Sequence, residues 1–375
     1  MTAKSDLPSG DAPDVLTEVR GQVGFITLNR PKALNALSLG MIRALTECLQ
    51  VWHDDPAVKA VAIRGTNKTG PFGAFCAGGD IRFFHQAALA GNPELEDFFT
   101  EEYALNHLIH TYPKPYIAFM DGIVMGGGMG ISQGAKIRIV TERTRMAMPE
   151  TNIGLFPDVG GGYFLSRCPG RIGEWLALTG DMMGAGEALA FGLADACLDV
   201  GQLAPAWDAL ASTDFARPDA IESWLAMYSI AAPAYSTGAR SQIDHYFSLP
   251  SVADIVRALE ADTDEWAQHT AAILRKRSPL MLHVVLEQIH RARTMSLADD
   301  LRMERDMVRH CFHTRHLGRS ASQSETVEGI RALAVDKDHT PRWNPARIEE
   351  VTPAMAAPFF GSPWTRGSHP LRELT

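Results

Sequence analysis

The stretch at residues 116–162 constrains the fold more than any other part of the sequence. It begins with the apolar run YIAFM, which predicts a buried strand, and then reaches the run GGGMG at residues 126–130. Glycines at such a junction let the backbone turn tightly and leave amide N–H groups uncovered. A helix that begins directly after them favours negative charge at its N-terminus. The junction therefore predicts a place where a developing oxyanion can be stabilised.

Two acidic residues follow on the same stretch, Glu150 and Asp158, among apolar and glycine neighbours. Two carboxyl groups close together can activate a water molecule or attack a carbonyl carbon. Two other interpretations remain open at this point. Glu150 could be a structural acid, and Asp158 could cap a helix that begins at Val159.

A second junction of the same kind lies upstream, in the sequence FCAGGDI at residues 75–81. Either glycine stretch alone could be an ordinary tight turn without a ligand. Two such junctions in one domain favour a shared site, because each could offer one N–H group to the same oxygen atom.

Short strand and helix patterns alternate along the first half of the chain, from a hairpin at residues 15–28 to a strand at residues 193–199. After about residue 200 the glycine clusters end and helical patterns dominate, with Ser251 and Ser296 as predicted helix caps. We therefore predict an α/β core with a C-terminal helical extension. The predicted divisions are a disordered lead-in at 1–14, a core carrying the active site at 15–200, a helical region at 201–345 and an extended tail at 346–375.

Charge and composition exclude several classes of protein. The chain has 375 residues and a net charge of −9, which argues against a nucleic-acid surface. An anionic ligand would have to be held by local basic residues and backbone N–H groups. No apolar run approaches the length of a membrane span. The five scattered cysteines and the absence of an apolar leader predict a reduced, cytoplasmic setting.

Other motifs carry little weight. GISQG at residues 130–134 has the spacing of a nucleophile elbow, but Ser132 falls inside a predicted helix and not on a strand-to-helix turn. The histidines show no metal-binding spacing, and the glycines do not form a convincing dinucleotide or phosphate loop. The sequence therefore predicts neither a metal nor a separate cofactor.

The glycine junctions, together with MPE at residues 148–150, resemble the signature of the crotonase (enoyl-CoA hydratase/isomerase) superfamily. The longer motif MPETNIGLFPDVGGG at 148–162 is similar to the 3-hydroxyisobutyryl-CoA hydrolase branch of that superfamily. EEYALN at 101–106 and the segment at 328–343 agree with this branch. The resemblance runs from about residue 23 to residue 345.

The resemblance implies a spiral of ββα units that grips the carbonyl group of an acyl-CoA thioester through two backbone N–H groups. Carried over by motif position, these N–H groups belong to Gly79 and Gly127. Glu102, which alone would be taken for part of a solvated helix face, becomes a substrate-contacting position beside Glu150 and Asp158. The resemblance further places the CoA adenine near Ala77. It places the CoA phosphates near Arg30 and Arg82.

One departure from the wider superfamily bears on the reaction. Hydratases carry a second glutamate where this chain has Gly130. The resemblance therefore implies hydrolysis of a short 3-hydroxyacyl-CoA, with 3-hydroxyisobutyryl-CoA of valine degradation as the expected substrate and CoA as part of that substrate. The alternatives are an enoyl-CoA hydratase or isomerase that uses Glu150 alone, and a non-catalytic acyl-CoA-binding protein. A homo-oligomer is possible.

Overall fold

A computed structural model describes residues 12–235 and 238–375 of the chain. The predicted lead-in therefore lies outside the described residues except for positions 12–14. The strands, in chain order, are β1 (Val15–Arg20), β2 (Val23–Leu28), β3 (Ala60–Asn67), β4 (Gly70–Pro71), β5 (Tyr116–Met120), β6 (Ile123–Met125), β7 (Ile137–Val140), β8 (Arg145–Ala147), β9 (Ala196–Leu198) and β10 (Ser229–Ile230).

The main sheet has the strand order β1-β2-β3-β5-β7-β9-β10, with β4 paired to β3. The hairpin of β1 and β2 is antiparallel, whereas β2, β3, β5, β7 and β9 pair in parallel. Parallel neighbours require a crossover between them, and helices supply it. A second, two-stranded parallel sheet joins β6 to β8. It holds the strand before the glycine run beside the strand before Glu150.

The helices of the first half are α1 (Leu39–Asp54), α2 (Ile81–Ala90), α3 (Glu94–His110), α4 (Gly127–Gln133), α5 (Gly161–Leu165), α6 (Ile172–Thr179) and α7 (Ala185–Ala190). Those of the second half are α8 (Leu203–Leu210), α9 (Ala220–Tyr228), α10 (Arg240–Tyr246), α11 (Val252–Ala261), α12 (Glu265–Leu274), α13 (Pro279–Ala292), α14 (Leu297–Phe312), α15 (Glu325–Ile330) and α16 (Pro353–Ala356). Within the described ranges, no helix is both long enough and apolar enough to cross a bilayer.

Both faces of the parallel strands are covered, as the apolar residues of these strands require. Phe25 and Phe119 point to one face, where they pack against Trp207 of α8. The alternate residues Ile26 and Met120 point to the other face and join a larger apolar cluster that includes residues of α1 and α3. The period-two alternation along each strand thus fills two separate cores.

Helices α13 and α14 of the second half pack onto helices of the α/β core. Helix α14 contacts α3 and α5, and α13 contacts α5 and α6. Both predicted caps are present, since the side chains of Ser251 and Ser296 accept hydrogen bonds from backbone N–H groups three residues later. The division of the chain at residues 200 and 345 stays a prediction.

The tail differs from the extended segment that its prolines predict. It forms α16 and then a 3-10 turn at Ala357–Phe360. Phe359 and Leu371 are buried, with 1% and 2% of their surface exposed, in the large apolar cluster that also contains residues of α14. Burial of these side chains explains why the tail folds back onto the helices.

Candidate active site

A cavity of about 240 Å³ lies where the two glycine junctions, α3 and the loop between β8 and α5 meet. Six of the eight predicted site residues line it: Ala77, Gly79, Glu102, Gly127, Glu150 and Asp158. Apolar side chains complete the wall: Ile81, Phe84, Phe99, Ile153, Leu155, Val159 and Leu333. A concave, mainly apolar cavity with a few converging polar groups is the usual form of a small-molecule site.

The backbone N–H groups of Gly79 and Gly127, two residues that line the cavity, have no hydrogen-bond acceptor in the described part of the chain. Gly79 lies between residues whose backbones pair with Leu37, through bonds from Leu37 N to Gly78 O and from Asp80 N to Leu37 O. Gly127 is the first residue of α4, where N–H groups have no acceptor within the helix. A Cβ atom built on Gly127 would lie 3.5 Å from the carbonyl carbon of Gly78, which is bonded to the nitrogen of Gly79.

Glycine is required where these junctions approach the acids. A Cβ atom on Gly127 would lie 2.6 Å from Oε1 of Glu102, and one on Gly126 would lie 2.7 Å from Oε1 of Glu150. Both distances are below normal van der Waals contact, so larger residues would displace the carboxyl groups. Gly126 also has a φ of +48°, a conformation that disfavours residues with a side chain.

The three acids of the cavity come from three elements and are all buried. Glu102 lies on α3 and is 2% exposed, Glu150 begins a 3-10 turn, and Asp158 lies on the loop before α5. Oδ2 of Asp158 accepts a hydrogen bond of 2.8 Å from the hydroxyl group of Tyr103. Oε1 of Glu102 and Oε2 of Glu150 have no partner among the described residues. Unpaired buried carboxyl oxygens are costly and are typical of sites that a ligand or water completes.

Glu102 and its neighbour Glu101 show why the solvated-face interpretation fails. Glu101 is partly exposed and forms a two-bond ion pair with Arg43 on α1. Glu102 points instead into the cavity, because adjacent residues on a helix are separated by about 100°. The expectation that this carboxyl group is solvated is therefore wrong.

Burial changes the ionisation of all three acids. It raises the pKa of Glu102 and of Glu150 well above the usual range, and the negative charge of Asp158 adds to both rises. It also raises the pKa of Asp158 to about 7, against the opposing effect of the hydrogen bond from Tyr103. The cluster therefore retains protons at a pH where ordinary carboxyl groups are ionised, a property expected of acid–base groups.

The space beside Gly130 has no room for the second glutamate of hydratases. A Cβ atom built there would lie 2.7 Å from Cβ of Val159 and 3.0 Å from Nδ2 of Asn106. The second acid of this cavity is Asp158, on the loop, and it reaches the cavity from a different direction.

The alternative in which Asp158 caps a helix is not supported by the structure. The helix after it begins at Gly161 and not at Val159. Acidic side chains from α14 accept hydrogen bonds from the first N–H groups there: Glu304 from Gly160 and Gly162, and Asp300 from Tyr163.

The two arginines predicted for CoA phosphates lie outside the cavity lining. Arg30 forms an ion pair of 3.0 Å with Asp80 and donates to the carbonyl group of Ala36. Arg82 lines a separate, shallower depression together with Lys337. Their role in CoA binding stays a prediction.

The structure also shows the surroundings of Ser132 and Tyr103. Ser132 is buried within α4 and donates its hydroxyl hydrogen to the carbonyl group of Gly128, as expected of a packing residue. No cluster of His, Cys, Asp and Glu within residues 12–235 and 238–375 is arranged to hold a metal ion. Sequence reasoning missed Tyr103 as a partner of Asp158, although it follows Glu102 directly.

Comparisons with known proteins agree with the fold. A family model described as enoyl-CoA hydratase/isomerase matches residues 23–360. The mitochondrial 3-hydroxyisobutyryl-CoA hydrolase of Gallus gallus is 39% identical, over 91% of this chain and 87% of the relative. The probable 3-hydroxyisobutyryl-CoA hydrolase 3 of Arabidopsis thaliana is 38% identical, over 92% and 91%.

The solved structures include a carnitinyl-CoA dehydratase from Mycobacterium thermoresistibile. It superposes with a TM-score of 0.84 at 39% identity and covers 93% of this chain and 97% of its own. This superposition and the family match confirm the fold class that the sequence predicts.

Proposed function

Since the chain belongs to the enoyl-CoA hydratase/isomerase family, we propose that it hydrolyses the thioester of a short 3-hydroxyacyl-CoA. The proposed substrate is 3-hydroxyisobutyryl-CoA, and the products are 3-hydroxyisobutyrate and free CoA, a step of valine degradation. The observation that carries the proposal is the meeting of two acceptor-free glycine amides with Glu150 and Asp158 in one cavity. The similarity to 3-hydroxyisobutyryl-CoA hydrolases over most of the chain supports it.

The amides of Gly79 and Gly127 have the task of binding the thioester oxygen. As water or a carboxylate adds to the carbonyl carbon, this oxygen becomes an anion, and the two N–H groups donate hydrogen bonds to it. Loss of one such donor raises the barrier by about 3–4 kcal/mol. The N-terminus of α4 favours the same charge.

Glu150 supplies either a base or a nucleophile. As a base, it takes a proton from water while the water oxygen bonds to the carbonyl carbon, and the C–S bond then breaks to release the CoA thiolate. As a nucleophile, its carboxylate displaces the thiolate and forms a mixed anhydride, which water hydrolyses. The thiolate needs little acid assistance, because a free thiol ionises near pH 8.5.

Asp158 has the task of orienting the substrate hydroxyl group or the attacking water. Its charge also raises the pKa of Glu150, which makes that carboxylate a stronger base once it is ionised. Glu102 forms the wall of the cavity beside Gly127 and contacts the substrate.

Hydratase chemistry is the second candidate, because a solved structure 39% identical to this chain is a carnitinyl-CoA dehydratase. Against it stands Gly130, where a side chain would collide with Val159. Addition of water across a C=C bond uses two carboxyl groups, and the one expected at this position is missing.

An assay of thiol release over a panel of thioesters tests the proposal. 3-Hydroxyisobutyryl-CoA and 3-hydroxypropionyl-CoA should both release free thiol, since one methyl group changes binding by only about 1–3 kcal/mol. Isobutyryl-CoA lacks the hydroxyl group that Asp158 would orient, so its hydrolysis should be much slower. Loss of the double bond of crotonyl-CoA without thiol release would replace the proposal by hydratase activity.

A single turnover in ¹⁸O-labelled water separates the two roles of Glu150. Label in the Glu150 side chain identifies the anhydride route, because it enters that side chain only when water attacks the Glu150 carboxyl carbon of the anhydride. The base route places label only in the product acid. Mass spectrometry of the peptide that contains residue 150 distinguishes them.

The cellular setting is part of the proposal. All five cysteines are free thiols, which fits a reducing compartment such as the cytoplasm. The relative from Gallus gallus is mitochondrial by name. The partner that we propose is the acyl-CoA substrate, with self-association as a further possibility that size-exclusion chromatography can measure.

A further inference from the structure

The loop that carries Asp158 is held from outside by the C-terminal helices. Glu304, on α14, accepts a hydrogen bond of 2.7 Å from the backbone N–H of Gly160 through Oε2, and one of 2.9 Å from that of Gly162 through Oε1. Gln288, on α13, donates to the carbonyl oxygen of Pro157 at 2.7 Å. Backbone groups on both sides of Asp158 are therefore fixed by side chains more than 100 residues away in the sequence.

The backbone between these hydrogen bonds adopts an unfavourable conformation at Val159. Val159 has a φ of +57°. A residue with a branched β-carbon rarely occupies this region, and it stays there only when its surroundings enforce the conformation. Glu304 binds the N–H group of the residue after Val159, and Gln288 binds the carbonyl group two residues before it, so both side chains support this conformation.

The oxygens of a carboxyl group match the hydrogen-bond donors at this position. The two oxygens of Glu304 accept three hydrogen bonds, since Oε1 also accepts one of 3.2 Å from Nε2 of Gln288. Glutamine at this position would turn an NH₂ group towards one of the backbone N–H donors. The side chain is fully buried, and a buried acid is costly unless its contacts are needed. An apolar residue would serve general packing as well.

We propose that Glu304 is a positioning residue for Asp158: it fixes the backbone around Val159 so that the Asp158 carboxyl group meets both the substrate and the hydroxyl group of Tyr103. The proposal rests on the proposed function, in which Asp158 is catalytic. The proposal means that α14 helps to position the active site, although no residue of α13 or α14 lines the cavity.

A double-mutant cycle with Glu304→Gln and Asp158→Asn tests this assignment by thiol release. Asp158→Asn alone should lower kcat strongly, and failure to do so would overturn the proposed function and this inference together. Glu304→Gln should lower kcat about a hundredfold with little change in KM, because a displacement of about 1 Å costs this much. The double variant should be within roughly twofold of Asp158→Asn, since Glu304 acts only through Asp158.

Asp306→Asn is the matched control. Asp306 is a buried acid on the same helix, but it accepts a hydrogen bond from Ser362 in the tail and does not contact the loop. This variant should lose stability and keep its kcat. If Glu304→Gln folds but retains kcat within roughly twofold, or lowers it by the same factor with and without Asp158, the inference is wrong, whereas the proposed function still stands.

A second variant keeps the test decisive if Glu304→Gln does not fold. Gln288→Met preserves the volume of the side chain but removes the donor to Pro157. It should lower kcat in the wild-type background and not in the Asp158→Asn background. An equal loss in both backgrounds contradicts the inference.

Discussion

Replacement of Tyr103 by phenylalanine removes a single hydroxyl group from the candidate active site. The hydroxyl donates to Oδ2 of Asp158 at 2.8 Å, and both side chains are buried. The ring keeps its place against Phe99, so the substitution leaves the packing of α3 intact. Tyr103→Phe is therefore a nearly pure test of how this hydrogen bond controls the ionisation of Asp158.

The magnitude follows from the strength of the bond. A hydrogen bond to an ionised group contributes about 1.5–3 kcal/mol, and about 1.4 kcal/mol corresponds to one pH unit. The bond favours the ionised form of Asp158 and lowers its pKa, which burial raises to about 7. Without the bond, the pKa should rise by roughly one to two pH units.

The pH dependence of kcat/KM for 3-hydroxyisobutyryl-CoA measures this effect. In the wild type, activity should increase as pH rises through neutrality, because the acids of the cavity must lose a proton to act. In Tyr103→Phe, the same increase should occur at a higher pH. Tyr112→Phe is the control, since its hydroxyl group donates to the carbonyl of Leu49, outside the cavity lining, and its loss should leave the profile in place.

A profile for Tyr103→Phe that coincides with the wild type, or moves to lower pH, would refute the reasoning. It would mean that the ionised form of Asp158 does not depend on this bond, and that another group controls the acid side of the profile. Equal displacement in Tyr112→Phe would point to a general loss of structure.

Three further predictions concern the glycines and the buried charge. Gly127→Ala should lower kcat/KM on the order of a hundredfold, because its Cβ would lie 2.6 Å from Oε1 of Glu102 and displace the amide or the acid. Gly130→Ala should lower the free energy of unfolding by about 1–3 kcal/mol, measured by urea denaturation, since its Cβ would lie 2.7 Å from Cβ of Val159. The folded-state pKa of Asp158 is raised above its unfolded value, so its contribution to stability is present below about pH 4 and is lost as pH rises through about 7. The free energy of unfolding of Asp158→Asn, relative to that of the wild type, should therefore increase by on the order of 2–4 kcal/mol from pH 4 to pH 8. Denaturation at these two pH values measures it. A difference that stays constant would contradict the raised pKa.

The sequence predicts those parts of the site that depend on local signals. The two glycine junctions and Glu150 lie in short motifs that can be recognised from a few neighbouring residues. The structure brings them to one cavity. Only the resemblance to the family indicates that Glu102 lies at the site. Its helix α3 is covered by both α1 and α14, so burial on that helix does not follow a single apolar stripe.

Contacts between distant segments were not predictable. Tyr103 and Asp158 are 55 residues apart, and Glu304 is 144 residues from Gly160. A buried glutamate on an amphipathic helix has the same local pattern as a solvated one, and only the three-dimensional fold shows which backbone groups it meets. The same reason explains why the tail, with its prolines, was expected to be extended.

The absence of a side chain at residue 130 and the conformation of Val159 belong to one arrangement. The side chain of Val159 fills the space beside Gly130, and the backbone of Val159 has a positive φ. Glu304 on α14 accepts from the N–H of Gly160, the next residue, and so supports that backbone. The C-terminal helices therefore support the geometry that closes the space for the glutamate of hydratases and presents Asp158 in its stead. On this argument, a chain that kept the glycine junctions but lost α14 would retain the amides of Gly79 and Gly127 and lose the placement of Asp158.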